Sequence, residues 1–246
     1  NNLILILLLT VFNLFFYKYF ISILFKYNSK FLIDNEFKKP QAFHESSISI
    51  AGGVGIFFSL LIIILDFWLF KNIVFFEYLS ICTLLFILGF SDDIKINIKA
   101  RLRLTLMIIF LIFLIMYNNF YIERTGIEFL NNWISSSKMF SLFFVCLCFL
   151  FVINGANLID GYNGLLGFHS LIILLNLFFI NYFNGFNDLA IFLFFGILAL
   201  VIFLIYNFPK AKVFLGDGGS YLLGSFLAIS VVNTSILNPK VSPFYF

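Results

Sequence analysis

Four aspartates stand in three short polar segments that interrupt long apolar runs of this sequence. The segments are, in chain order, GFSDD (Gly89–Asp93), NGANLIDGYNGLLG (Asn154–Gly167) and FLGDGGSYLLG (Phe214–Gly224). The aspartates are Asp92, Asp93, Asp160 and Asp217. Oxygen ligands of this kind suit Mg²⁺ or Mn²⁺ better than zinc. With Lys and Arg nearby, they are typical of phosphoryl transfer, in which a protein mainly positions and neutralises phosphate oxygens.

The middle segment breaks an apolar run with residues that are costly at membrane depth. On a helix, Asn157 and Asp160 would lie one turn apart and face the same way, with Asn163 beside them. Asn side chains can orient a carboxylate or contact sugar hydroxyls and phosphate oxygens. A kinked helix joint with capping residues is the structural alternative.

The other two segments combine acids with phosphate-binding groups. Behind Asp92 and Asp93 come four basic residues, of which we select Lys95 and Arg101 as candidate substrate contacts. An ordinary basic loop with solvated acids is the alternative. In the last segment, we predict that Ser220 caps the helix that follows, and that backbone N–H groups at its start can hold phosphate. A plain Gly-Asp-Gly turn is the alternative there.

A fourth, weaker candidate is the segment KKPQAFHESSISIAGG (Lys38–Gly53), in which His44 precedes a Gly-Gly pair. His44 is a candidate substrate-binding residue, and a solvent-facing loop histidine is the alternative.

Composition determines what kind of element positions these residues. Hydrophobic residues make up 62% of the chain, charged residues only 11%, and the mean hydropathy is +1.07. Soluble domains carry roughly 25% charged residues. The sequence therefore predicts an all-α, polytopic transmembrane bundle, with residues 1–246 as one domain in the bilayer. A net charge of +3 with no broad basic face argues against nucleic acid as a partner.

Apolar runs approaching the roughly 20 residues of a span predict eight membrane helices. These are Leu3–Phe25, Ile50–Phe70, Phe76–Phe90, Leu102–Tyr117, Met139–Ile153, Leu165–Tyr182, Leu189–Tyr206 and Tyr221–Leu237. Ten basic residues fall in one set of loops and four in the other, which places the first set in the cytoplasm. All four aspartates lie beside that basic set, so we expect one shared site at the cytoplasmic face.

The ordered motifs H…GG, GFxDD, NLIDGxNGL and FxGDxGSxxLG resemble the polyprenyl-phosphate N-acetylhexosamine-1-phosphate transferases of glycosyltransferase family 4. This group includes phospho-MurNAc-pentapeptide translocase and the UDP-GlcNAc enzymes of cell-envelope polysaccharide synthesis. The resemblance implies a bundle of ten or eleven spans in a bacterial inner membrane. It also implies transfer of a sugar 1-phosphate from a UDP-sugar to undecaprenyl phosphate, with UMP released and Mg²⁺ required. A homodimer is compatible with it.

By motif position, the resemblance makes Asp217 the principal Mg²⁺ ligand. Asp92 and Asp93 would serve the metal or the lipid phosphate, and Asp160, Asn157 and Asn163 would shape the nucleotide-sugar pocket. Asn163 stands where many relatives carry a second Asp. The family also has a later cytoplasmic loop rich in His and basic residues, so we expect the sequence to be part of a longer chain.

Two mechanisms and two other functions remain open from sequence alone. The lipid phosphate could attack the β-phosphate of the UDP-sugar directly, or the reaction could pass through an aspartyl-phosphate on Asp92 or Asp93. A transporter with an ion site in broken helices is one alternative function. A catalytically inactive scaffold is the other.

Overall fold

A computed structural model of the chain describes residues 2–26, 32–34, 47–96, 98–122 and 124–245. The helices are α1 (Asn2–Phe15), α2 (Ile21–Lys26), α3 (Gly52–Lys71), α4 (Thr83–Asp93), α5 (Ala100–Tyr117), α6 (Glu128–Ser136), α7 (Lys138–Ile159), α8 (Leu165–Phe183), α9 (Asn187–Asn207) and α10 (Gly216–Leu237). Two short strands, β1 (Ile33–Asp34) and β2 (Ile48–Ser49), pair antiparallel. The prediction of an all-α polytopic membrane bundle is confirmed.

Seven of the described helical segments are long and apolar enough to cross a membrane. They are Asn2–Lys26, in which a π-helical turn joins α1 to α2, and the helices α3, α5, α7, α8, α9 and α10. The remaining predicted span, Phe76–Phe90, is also helical. It contains a π-helical turn at Tyr78–Cys82 that continues into α4. It is not among the seven, and its helix carries Glu77, Asp92 and Asp93.

Helix α10 is the centre of the bundle. In the apolar stretch of α10, 72% of the residues are buried, against 22% in the apolar stretch of α5. Helix α10 packs against α3, α4, α7 and α8. Its small residues permit this close packing: a Cβ on Gly224 would lie 2.8 Å from the Cα of Ile153 on α7. The hydroxyl groups that it buries have partners, as when Ser230 accepts a hydrogen bond from Tyr78 and Thr234 accepts one from Asn181. The packing around α10 is therefore tight, and these buried hydroxyl groups of α10 are paired.

Two glycines set how closely the neighbouring helices approach the start of α10. A Cβ on Gly53 of α3 would lie 2.4 Å from the Cα of Gly219, and a Cβ on Gly89 of α4 would lie 2.4 Å from the carbonyl oxygen of Asp217. Both distances are far below van der Waals contact. Gly53 and Gly89 thus allow α3 and α4 to pack directly against the first turn of α10.

Gly89→Ala is expected to destabilise the protein by about 1–3 kcal/mol, because the added methyl group must push α4 away from the backbone of α10. Gly155→Ala is the matched control: it also lies within a long helix, and nothing lies within 4 Å of the Cβ that it would gain. Thermal unfolding in detergent micelles measures both. Equal midpoints for the two variants would contradict the close approach of α4 to α10.

Candidate functional site

Three helix ends meet at one end of the bundle, which we call the site end. Asp92 and Asp93 are the last residues of α4, and Asp160 directly follows the end of α7. Asp217 lies in the first turn of α10. We call these four residues the carboxylate cluster. The three polar segments of the sequence therefore supply one site from three separate helix ends, as predicted.

Asp93 holds the start of α10. Its two carboxylate oxygens accept hydrogen bonds from the backbone N–H groups of Asp217 (2.8 Å) and Gly218 (2.9 Å). Gly216 has a φ of +80°, and a Cβ there would lie 2.7 Å from the Asp93 carboxylate. A negative charge at a helix N-terminus is favourable, and glycine adopts this φ without strain. These two N–H groups are bonded to Asp93 and are not open to a phosphate.

The Asp217 carboxylate has a neighbour on each side. One oxygen accepts a hydrogen bond from the side-chain amide of Asn157 (3.0 Å), and the other lies 3.5 Å from the guanidinium of Arg103. The fully buried Ser220 hydroxyl accepts a second hydrogen bond from Asn157 (2.8 Å) and donates to the carbonyl of Asp217. Asn157 and Ser220 therefore hold the orientation of Asp217.

The prediction that Ser220 caps a helix is wrong. Helix α10 begins at Gly216, so Ser220 lies inside it, and its hydroxyl bonds to Asp217 and Asn157. The reason is that Asp93, from another helix, supplies the acceptor that a local side chain would otherwise supply.

Arg103 is the basic residue that enters the cluster. It forms an ion pair with Asp92, and its guanidinium lies over the ring of Tyr221, 5.6 Å from the centroid. The two basic residues selected from sequence, Lys95 and Arg101, are exposed and form no ion pair with a described residue. Both remain near the site end, where they stay candidates for contact with an anionic ligand.

Burial raises the pKa of Asp160 to about 8, and the negative charges of Asp217 and Asp93 raise it further in the same direction. Asp160 therefore lies within electrostatic reach of both. Three carboxylates so close together repel one another, and a cation between them would relieve that repulsion.

Between α7 and α8 the chain makes a tight turn that one buried asparagine holds. Gly164, with a φ of +78°, donates its backbone N–H to the side-chain oxygen of Asn207. The side-chain amide of Asn207 donates to the carbonyl of Val213, 2.9 Å away. Asn207 thus ties the turn after Asp160 to the loop that leads into α10.

Asn163 does not lie beside Asn157, so that part of the sequence prediction is wrong. Helix α7 ends at Ile159, and Asn163 sits in the turn that follows. Its side chain is exposed and donates to the carbonyl of Pro209, 3.1 Å away. The glycines of this segment end the helix before Asn163 can share its face.

Asn207→Ala is expected to lower stability by about 1–3 kcal/mol, because it leaves a buried N–H and a buried carbonyl without partners. Asn184→Ala is a suitable control, since that exposed side chain bonds only to its own helix. Thermal unfolding measures the first effect. Hydrogen exchange of Gly164 should rise in the Asn207 variant alone, and unchanged exchange would contradict the bridging role.

Arg103 and Asn207 are site residues that sequence reasoning did not single out. Arg103 was visible in its motif, but Arg101 was as good a candidate there. For Asn207 the available signal was an amide at the very end of an apolar run, next to Pro209 and a basic loop. His44 lies outside the described residues.

The described residues hold no group of three or more His, Cys, Asp and Glu side chains arranged as metal ligands. Mg²⁺, however, commonly takes only one or two carboxylates and completes its coordination with water and substrate phosphates. Asp217, 40% exposed at its side chain, and the neighbouring Asp160 have the chemistry for that role. The donor set fits a hard divalent cation brought together with a phosphorylated substrate.

An apolar cavity of about 480 Å³ adjoins the site end. It lies between α7, α8 and α10, beginning at Ile159 and Leu166 near the cluster and ending at Ile122 and Phe244 near the opposite end. Its size is that of an ordinary ligand pocket. Its lining is suited to a long hydrocarbon chain.

Known proteins are similar to this chain over the region that contains the carboxylate cluster. A family model described as "Glycosyl transferase family 4" matches residues 75–235, which run from the start of the helix that includes α4 to near the end of α10. Among similar proteins is a phospho-N-acetylmuramoyl-pentapeptide-transferase of Dictyoglomus turgidum, 36% identical over 198 residues, or 78% of this chain and 61% of the relative.

Two further relatives are undecaprenyl-phosphate alpha-N-acetylglucosaminyl 1-phosphate transferases. That of Escherichia coli O157:H7 is 29% identical over 74% of this chain and 50% of its own length. That of Thermotoga maritima is 29% identical over 77% of this chain and 53% of its own length. The chain thus spans between half and about three fifths of the relatives that it matches.

Proposed function

The chain belongs to glycosyl transferase family 4, and on that premise we propose that it transfers a sugar 1-phosphate from a UDP-sugar to undecaprenyl phosphate. The products are a polyprenyl-diphosphate sugar and UMP. The step would begin the synthesis of a cell-envelope polysaccharide. The resemblance seen in the sequence motifs is confirmed at the level of the family, and the reaction itself is our proposal for the full-length protein.

The observation that carries this proposal is the meeting of the carboxylate cluster with the apolar cavity. The cluster has the charge and oxygen donors that a cation-bound diphosphate requires, and the cavity begins one residue from Asp160, at Ile159. A reaction that joins a nucleotide sugar to a lipid phosphate needs both environments side by side. The excess of basic residues in the loops at the site end supports a cytoplasmic orientation, where UDP-sugars are available.

In this proposal, Asp217 would hold Mg²⁺, with Mn²⁺ as an alternative, and Asp160 is its neighbour in the carboxylate cluster. When bound, the cation would neutralise the diphosphate of the donor. Asn157 and Ser220 keep the Asp217 carboxylate in place, and Asp93 fixes the helix start on which Asp217 stands. Lys95 and Arg101, exposed at the same end, would contact donor or acceptor phosphates.

We propose direct transfer. An oxygen of the lipid phosphate attacks the β-phosphorus of the UDP-sugar, and the bond to the bridging oxygen breaks, so that UMP leaves with the electron pair. The second pKa of a phosphate monoester is about 6, so the attacking group is already mostly dianionic at neutral pH. The contacts of the acids also favour this route over an aspartyl-phosphate: both oxygens of Asp93 accept backbone hydrogen bonds, and Asp92 is paired with Arg103.

The test uses membranes that contain the full-length protein, undecaprenyl phosphate and one radiolabelled donor at a time. UDP-GlcNAc and UDP-MurNAc-pentapeptide are the first donors to try, because the relatives' names include these sugars. We expect a lipid-linked sugar from one donor together with UMP. If no UDP-sugar gives product, the proposed function is wrong.

A donor with a chiral β-phosphorothioate separates the two mechanisms. Direct transfer inverts the configuration at phosphorus, whereas two successive displacements through an aspartyl-phosphate retain it. Retention would contradict direct transfer but leave the overall function intact. The transporter and scaffold alternatives are less favoured, because the similar proteins reported above are named as transferases.

A further inference from the structure

His169 is a polar residue in an apolar place. It lies in the second turn of α8 and lines the cavity between α7, α8 and α10. Among the described residues that line this cavity, only His169 and the thiol of Cys148 bring a polar side-chain atom. The cavity wall is otherwise hydrocarbon and aromatic.

The side chain of His169 is exposed, and its imidazole has no hydrogen bond or ion pair with any described residue. The two asparagines of α8 are paired, since Asn176 donates to the carbonyl of Ile172 and Asn181 to the carbonyl of Leu177. The buried hydroxyl of Ser170 also lacks a partner among the described residues, but Ser170 does not line the cavity. An unpaired ionisable side chain within a membrane helix is costly and usually has a function. The expected function is to bind a polar group that enters the cavity.

The place of His169 in the cavity indicates which end of a ligand it would meet. It lies four residues after the start of α8 at Leu165, or about 6 Å along the helix axis from that start. The turn that contains Asp160 directly precedes that start. Gly155 of α7 lines the same cavity, and no atom lies within 4 Å of a Cβ position there, so the cavity is open at that residue. A lipid with its chain in the cavity would therefore carry its head group past His169 toward the cluster.

We propose that His169 binds the phosphate of the acceptor lipid through an N–H donor of its imidazole. This inference rests on the proposed function and adds a specificity-determining residue to it. A hydrogen bond from imidazole to a phosphate oxygen is stronger in apolar surroundings than in water. The side chain distinguishes a phosphorylated polyprenyl lipid from the free alcohol, whose chain the cavity fits equally well.

The test measures lipid binding to the full-length protein in detergent micelles, by native mass spectrometry, with undecaprenyl phosphate and undecaprenol as the two probes. For His169→Leu we expect the Kd for undecaprenyl phosphate to rise about 10-fold or more and the Kd for undecaprenol to stay unchanged. His169→Gln keeps an N–H donor, so its Kd for undecaprenyl phosphate should rise less than that of His169→Leu. Asn176→Leu is the matched control, because it makes the same polar-to-apolar change at an exposed position of α8 that does not line the cavity.

Turnover gives a second, independent measurement. His169→Leu should raise the KM for undecaprenyl phosphate and leave the KM for the UDP-sugar unchanged, which a general structural defect would not do. If wild type binds undecaprenyl phosphate and His169→Leu binds it equally well, the role of His169 is wrong and the proposed function stands. If His169→Leu weakens the binding of undecaprenyl phosphate and undecaprenol equally, the role of His169 in binding the phosphate is also wrong. If the wild-type protein binds neither lipid, both the role of His169 and the proposed function are wrong.

Discussion

Asp217→Asn in the full-length protein is expected to lower the rate of lipid-linked sugar formation by about 10³-fold or more. The substitution keeps the shape of the side chain and an oxygen that can accept the hydrogen bond of Asn157. It removes the negative charge that would hold the cation. Folding should therefore be preserved while transfer is lost. Initial rates over a range of Mg²⁺ concentrations, together with the unfolding midpoint, measure the two effects separately.

Asp188→Asn is the control for loss of one acidic charge. Asp188 lies at the start of α9, at the opposite end of the bundle, where it pairs with Lys71. An exposed pair of this kind contributes little to stability, so this variant should transfer at the wild-type rate. If Asp217→Asn also retained that rate, the assignment of the cation site to Asp217 would be contradicted.

Asp93→Ala is expected to affect both stability and activity. It removes the acceptor of two backbone N–H groups and the negative charge at the start of α10, which together should cost about 2 kcal/mol or more. Since Asp217 stands in that same turn, its carboxylate would lose its fixed position and transfer would fall with it. The unfolding midpoint and the initial rate measure these effects.

Asp93→Asn separates the two roles of this carboxylate. The amide oxygen can still accept one of the hydrogen bonds, so the variant should recover part of the stability that Asp93→Ala loses. An Asp93→Ala variant with a wild-type midpoint would show that Asp93 does not hold the helix start. A wild-type rate in the same variant would show that the position of Asp217 does not depend on it.

The sequence was sufficient to place the carboxylate cluster at one end of the bundle. Each polar segment adjoins an apolar run long enough to be a helix, so the acids had to lie at helix ends. The sequence was not sufficient to choose between Arg101 and Arg103. Residues two apart on a helix point about 200° away from each other, so the choice depends on how α5 is rotated about its axis. Packing against the rest of the bundle determines that rotation, and Arg103 is the residue that faces inward.

Contacts between distant segments account for the other differences. Local capping rules consider only the side chains beside a helix start, so they selected Ser220 and could not anticipate Asp93, which lies 124 residues earlier than Asp217. The same holds for Asn207, whose partners Gly164 and Val213 belong to two different loops. Asn163 was misplaced because the pattern alone did not show that α7 ends at Ile159.

The hydrogen bonds from the start of α10 to Asp93 also have a consequence for the order of assembly during synthesis. A ribosome adds about 5–20 residues per second, so roughly 6–25 s separate the appearance of Asp93 from that of Asp217. During that time the carboxylate of Asp93 lacks these two hydrogen-bond partners. Helix α4 can therefore associate with the start of α10 only after both helices have been synthesised. The carboxylate cluster is therefore complete only after α10 has been synthesised.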